Sequence, residues 1–176
     1  MLLDLPGLRV SALDRELRAF GRGKPLNLCY RASMFARANA SVWNIRGKRK
    51  FLIAAMTELA GDAHLSFEGN LHAMPILDLV GASGDETSIL KRNTSWPIQD
   101  FVVLSLEADL IKVIVASIGG TVSRRILHIQ IEKSGILELG LYDNFDPNCS
   151  FFGSRLTPEF FSRLESEGIL RQWTRR

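Results

Sequence analysis

The stretch from Arg124 to Gly153, RRILHIQIEKSGILELGLYDNFDPNCSFFG, constrains the fold more than any other part of the chain. Apolar and polar residues alternate on both sides of a Ser-Gly break, the period-two signature of a β-hairpin with one buried face. A two-residue turn at Ser134-Gly135 would set Ile131 against Glu138 and mix the faces. A three-residue loop over Lys133-Ser134-Gly135, with glycine left-handed, instead pairs Ile131 with Leu137, Ile129 with Leu139 and Leu127 with Leu141. That register gives one wholly apolar face, so the sequence predicts a 124–143 hairpin closed by a three-residue loop.

Around the hairpin the chain repeats a unit of helix, glycine stop and apolar segment. Ser11 and Asp14 form a capping pair for a helix that carries Leu13, Leu17 and Phe20 on one face, and Pro25–Tyr30 reads as a strand. SVWNI (41–45) is a short strand, a second helix runs from about Lys48 to Ala60, and His64–Leu71 is a strand. Pro75 opens a short helix. The polar run within 81–95 is an exposed loop, and Trp96-Pro97 gives an extended entry to a strand at Phe101–Leu106. A third helix covers about 107–118 and stops at Gly119-Gly120. Thr157-Pro158 starts the last helix, Ile169-Leu170 adds an edge strand, and 171–176 is a basic tail. The predicted fold class is α+β: a single two-layer domain over 1–176, helices packed on one face of a largely antiparallel sheet.

With 46% apolar and 23% charged residues the chain has a globular composition, and 176 residues suffice for one core. No apolar run is long enough to span a bilayer, because Lys112 interrupts the longest. Asp4 and Pro6 fall where a signal peptide would need an unbroken apolar segment. Cys29 and Cys149 are far apart and lack a CxxC pattern, which predicts two reduced thiols. A soluble, cytoplasmic protein with no membrane partner is the expectation.

On the polar face of the hairpin, His128, Glu138 and Tyr142 precede Asp143 and Asp146 in the loop DNFDPNC, and these five residues are the catalytic candidates. Gly140 would remove bulk beside His128 and leave room for a ligand or another backbone. Asp143, Asp146 and Asn148 supply hard oxygen ligands at the short spacing a Mg²⁺ or Ca²⁺ ion accepts, although Asp and Asn equally serve such a loop as turn formers. His64, His72 and His128 show no zinc spacing, and no phosphate-binding glycine loop or nucleophile elbow occurs, so no cofactor is expected.

Charge is spread unevenly. Residues 1–60 hold eleven Lys/Arg against four Asp/Glu, and 61–176 hold eleven against fifteen. Arg46, Lys48, Arg49 and Lys50 crowd the start of the second helix, where the helix dipole disfavours positive charge. With Trp43 nearby to stack on a base, they are the nucleic-acid-binding candidates. Three function classes follow: a non-enzymatic interaction or regulatory module acting through a protein partner or as a homo-oligomer, a nucleic-acid binder using 46–50, and a divalent-metal-dependent hydrolase at the hairpin end. The first is preferred because no catalytic motif converges.

Overall fold

The computed structural model describes residues 42–120 and 122–173. The expected helix at 11–20, the strand at 25–30, Cys29 and the last three residues of the basic tail lie outside them. The element order is β1 (Val42–Ile45), α1 (Lys48–Leu59), β2 (Ala63–Gly69), a 3₁₀ turn (Pro75–Asp78), β3 (Asp100–Ser105), α2 (Ile111–Ser117), β4 (Ile126–Lys133) and β5 (Ile136–Leu141). A second 3₁₀ turn (Pro147–Cys149), β6 (Ser150–Phe152), α3 (Pro158–Ser166) and β7 (Leu170–Trp173) complete it.

The protein is α+β, with a five-stranded sheet ordered β3-β2-β4-β5-β6 and a two-stranded sheet of β1 and β7. Every strand pair is antiparallel. One face of the larger sheet, carrying Leu65, Phe67, Val102, Leu104, Ile129, Ile131, Leu139 and Leu141, packs against buried residues of α1, α2 and α3. From α1 these are Phe51, Leu52, Ala55, Met56 and Leu59. Trp43 stacks on Phe161 at 5.1 Å with the rings nearly parallel, joining the small sheet to α3.

The hairpin forms with a different turn and register from those expected. Lys133 pairs with Ile136, so the turn is the two residues Ser134-Gly135, both left-handed at φ 53° and 75°. That is a type I′ turn, whose twist matches the flanking strands. The apolar face survives because the register shifts between Ile131 and Glu132: Ile131 pairs with Leu139 and Glu132 with Leu137, leaving Glu138 as the extra residue of a bulge. Leu137 joins a separate small cluster with Leu90, Phe101 and Val103. A second bulge between Glu68 and Gly69 makes Leu127 the unpaired residue and puts Ile126 into the core in its place.

The turn is docked as well as closed. Ser134 donates to Asp62 through its backbone N–H (3.0 Å) and its hydroxyl (2.9 Å). Lys133 Nζ donates to the Leu59 and Ala60 carbonyls at 2.9 and 2.6 Å, satisfying the C-terminal end of α1.

The sheet face away from the helices is covered in part. Residues 82–99 form a strap without regular structure that bridges β3 at Ser83–Val103, buries Leu90 and crosses over β2 and β4. The exposed loop expected at 81–95 is therefore anchored at several points, and that face is only partly wet. Cys149 is buried and disulfide-bonded, which corrects the expectation of reduced thiols and removes the support they gave to a cytoplasmic setting. Among the described residues no helix is long and apolar enough to cross a membrane.

Candidate functional site

The polar face of the hairpin belongs to a larger array. Alternation along β2 puts His64, Ser66 and Glu68 on the face opposite Leu65 and Phe67, and the β2–β4 register sets them against Glu132, Gln130 and His128 in turn. Ser66, Glu68, His128, Gln130 and Glu132 are all buried. At the exposed end His64 Nδ1 lies 2.8 Å from Glu132 Oε1.

The buried end holds the strap. Glu68 Oε2 accepts the Asn93 N–H and Oε1 the Thr94 N–H, both at 2.7 Å. Gln130 Nε2 donates to the Lys91 carbonyl at 2.7 Å. His128 Nδ1 accepts the Asp143 N–H at 3.2 Å, so the proton of the neutral ring sits on Nε2 and is donated to Thr94 Oγ1 at 3.1 Å. Burial lowers the His128 pKa, opposed by the charges of Glu68 and Asp143. The neutral ring therefore fits both of its hydrogen bonds.

Tyr142 fills the space that Gly140 opens. A Cβ on Gly140 would lie 2.7–2.9 Å from the edge and hydroxyl of the Tyr142 ring, and that ring sits 5.6 Å from the His128 ring. The room expected for a ligand is taken by the chain itself. Burial, then the Glu68 charge, push the Tyr142 pKa up to about 12.

The other catalytic candidates point elsewhere. Glu138, the bulge residue, is buried, accepts the Arg155 N–H at 3.1 Å and lies 3.4 Å from Arg155 Nε. Gly153 allows this close approach, since a Cβ there would meet the Glu138 carboxylate and its Cα at 2.8 Å. Asp146 Oδ1 accepts the Asn148 N–H (2.8 Å) and its side-chain amide (3.1 Å), which is turn chemistry. The Asp143 side chain is exposed. The structure thus unites His128 and Tyr142, attaches Asp143 through its main chain, and sets Glu138 and Asp146 into separate interactions. Among the described residues, no group of three or more His, Cys, Asp or Glu is arranged to hold a metal ion.

Asp143, Asn144 and Phe145 are all left-handed, at φ 49°, 57° and 69°. Such a run is costly for residues other than glycine. It is held by Asn144 N–H to Leu127 O (2.8 Å), Asn144 Nδ2 to Ile126 O (2.9 Å) and Lys48. Lys48 Nζ donates to the Asn144 carbonyl at 2.9 Å and to its Oδ1, and lies 5.2 Å above the Phe145 ring.

This accounts for the basic start of α1. Lys48 secures the 143–145 turn, and Arg49 donates to the Gly119 and Gly120 carbonyls at 2.8 and 2.9 Å, just beyond α2. Two charges that disfavour their own helix start satisfy acceptors elsewhere. Trp43 is committed to Phe161, while Arg46 and Lys50 are exposed.

Sequence reasoning missed Glu68 and Thr94. The β2 alternation was visible, but nothing local paired it with β4 or set a loop above it. Asn93 Oδ1 is the one buried side-chain polar atom among the described residues without a hydrogen-bond partner. No family model, curated protein or solved structure matches the chain.

Proposed function

We propose that this protein is a non-enzymatic interaction module whose sheet holds a strap that presents Trp96 and Ile98 to a protein partner. One observation carries the reading: Trp96 is 83% and Ile98 74% exposed, at the end of a strap fixed by buried hydrogen bonds. An indole in water on an anchored backbone is suited to act as a binding hot spot, because little ordering entropy remains to be lost on docking. The polar groups a hydrolase would need are spent on the strap and on local turns. The nucleic-acid reading keeps less support, since Lys48, Arg49 and Trp43 all have intramolecular partners.

The test is a photo-crosslinking amino acid placed at position 98 in the cell that makes the protein, with the exposed hairpin-tip position 136 as control. One discrete protein adduct is expected at 98, absent at 136 and lost with Trp96→Ala, while purified Trp96→Ala keeps wild-type stability. An adduct of twice the chain's mass would assign the partner as a second copy. No adduct at 98, or equal adducts at both positions, overturns the proposal.

A further inference from the structure

Apart from the strap, a cleft of about 680 Å³ opens where the first turn of α1, the 73–75 turn and the segment that follows α2 meet. Its charged lining residues are Lys48, Arg124 and Arg125, and no Asp or Glu lines it among the described residues. Arg124 lies near enough to Lys48 to help burial depress the lysine's pKa. Like charges are gathered in this cleft. Residues 1–41 are themselves basic in sequence, with seven Lys/Arg against three Asp/Glu.

The cations keep donors to spare. Arg125 Nε donates to the Asn70 carbonyl at 2.8 Å, and Nη2 to Asn70 Oδ1 at 3.1 Å and to the His72 carbonyl. Those bonds orient the guanidinium and use three of its five N–H groups. Lys48 spends two N–H groups on Asn144 and keeps a third. Arg124 is exposed and makes no hydrogen bond or ion pair among the described residues. The carbonyls that follow α2, which would repel an anion, are occupied by Arg49. Met74, Ile118 and Val122 supply an apolar wall.

The geometry points to a binding site for a phosphate-bearing small molecule, its phosphate held by Arg124, Arg125 and Lys48 and its body set against Met74, Ile118 and Val122. A carboxylate would neutralise one of three positive charges, whereas a phosphate monoester or diphosphate neutralises two or more and suits the guanidinium fork. The cleft volume falls in the range of small-molecule sites, roughly 300–1,000 Å³.

Calorimetry of the full chain with pyrophosphate, AMP and ADP at low salt tests this. The expected result is binding of at least one probe, weakened tenfold or more by Arg124→Ala, partly restored in Arg124→Lys, and unchanged by Arg171→Ala at an exposed position on β7. Among the described residues Arg124 makes no hydrogen bond or ion pair, so thermal unfolding of the Arg124→Ala protein should match wild type. Absence of binding by all three probes, or equal weakening by Arg171→Ala, overturns the assignment. Tighter binding of a single-stranded oligonucleotide with the same Arg124 dependence would overturn the small-molecule class in favour of nucleic acid.

Discussion

Glu68 and His128 are direct cross-strand partners on β2 and β4, and both are hydrogen-bonded to the same strap residue. Glu68 Oε1 accepts the Thr94 N–H at 2.7 Å, while His128 Nε2 meets the Thr94 hydroxyl at 3.1 Å. One residue of an irregular segment thereby ties together two strands of the sheet.

Glu68→Ala should destabilise the protein by about 2–4 kcal/mol, because it strands two N–H groups that now bond to a buried carboxylate. Urea unfolding measures the loss. Hydrogen exchange should quicken first at Asn93 and Thr94, and unchanged protection there would contradict the anchoring role.

Stability should fall as the solution is acidified through the ordinary histidine range. Burial lowers the folded-state pKa of His128 below 6.5, so the unfolded chain takes up a proton that the folded one resists. The contribution is complete above 6.5 and is lost as pH drops toward the folded value. Glu68, Asp143, Thr94 and Tyr142 are the groups facing the ring. Replacing the ring in His128→Gln should flatten this part of the urea-midpoint profile; identical profiles for both proteins would exclude His128 as its source.

At the alkaline end Tyr142 acts in the opposite direction, its contribution being lost as pH rises. Its folded pKa of about 12 exceeds the ordinary 10.0, so its contribution is intact below pH 10 and fades as pH rises toward 12. Phenolate absorbance should show one of the two tyrosines titrating late, and Tyr142→Phe should remove that step.

Gly140→Ala should cost about 1–3 kcal/mol, because its methyl group would displace the Tyr142 ring from beside His128. Pairing it with Tyr142→Phe leaves most of the clash, whereas Tyr142→Ala relieves it. Additive losses in the Gly140→Ala, Tyr142→Ala double variant would show that the two positions do not interact.

Much of the fold could be read from the chain because its signals are local. Thr157-Pro158 marks the start of α3 as expected, with Thr157 accepting the Phe160 N–H at 3.4 Å, and the stop at Gly61 and the strands at β2 and β3 follow from short-range patterns. The hairpin turn was misassigned because alternation alone cannot register a bulge: an inserted residue at Glu138 restores the apolar face that a two-residue turn otherwise seems to break. The helix expected at 107–118 is shorter, beginning at Ile111. The long-range partners of Lys48, Glu68 and Thr94 are 96, 26 and 34 residues away, beyond any pattern that one segment displays.

The sheet grips the strap by its main chain. Glu68 takes the N–H groups of Asn93 and Thr94, and Gln130 takes the carbonyl of Lys91. Those bonds are indifferent to which side chains stand at 95, 96 and 98. The strap can therefore serve as a replaceable fingertip on a fixed knuckle: new residues grafted there would inherit an ordered backbone, and the scaffold could be given a new recognition surface without repacking its core.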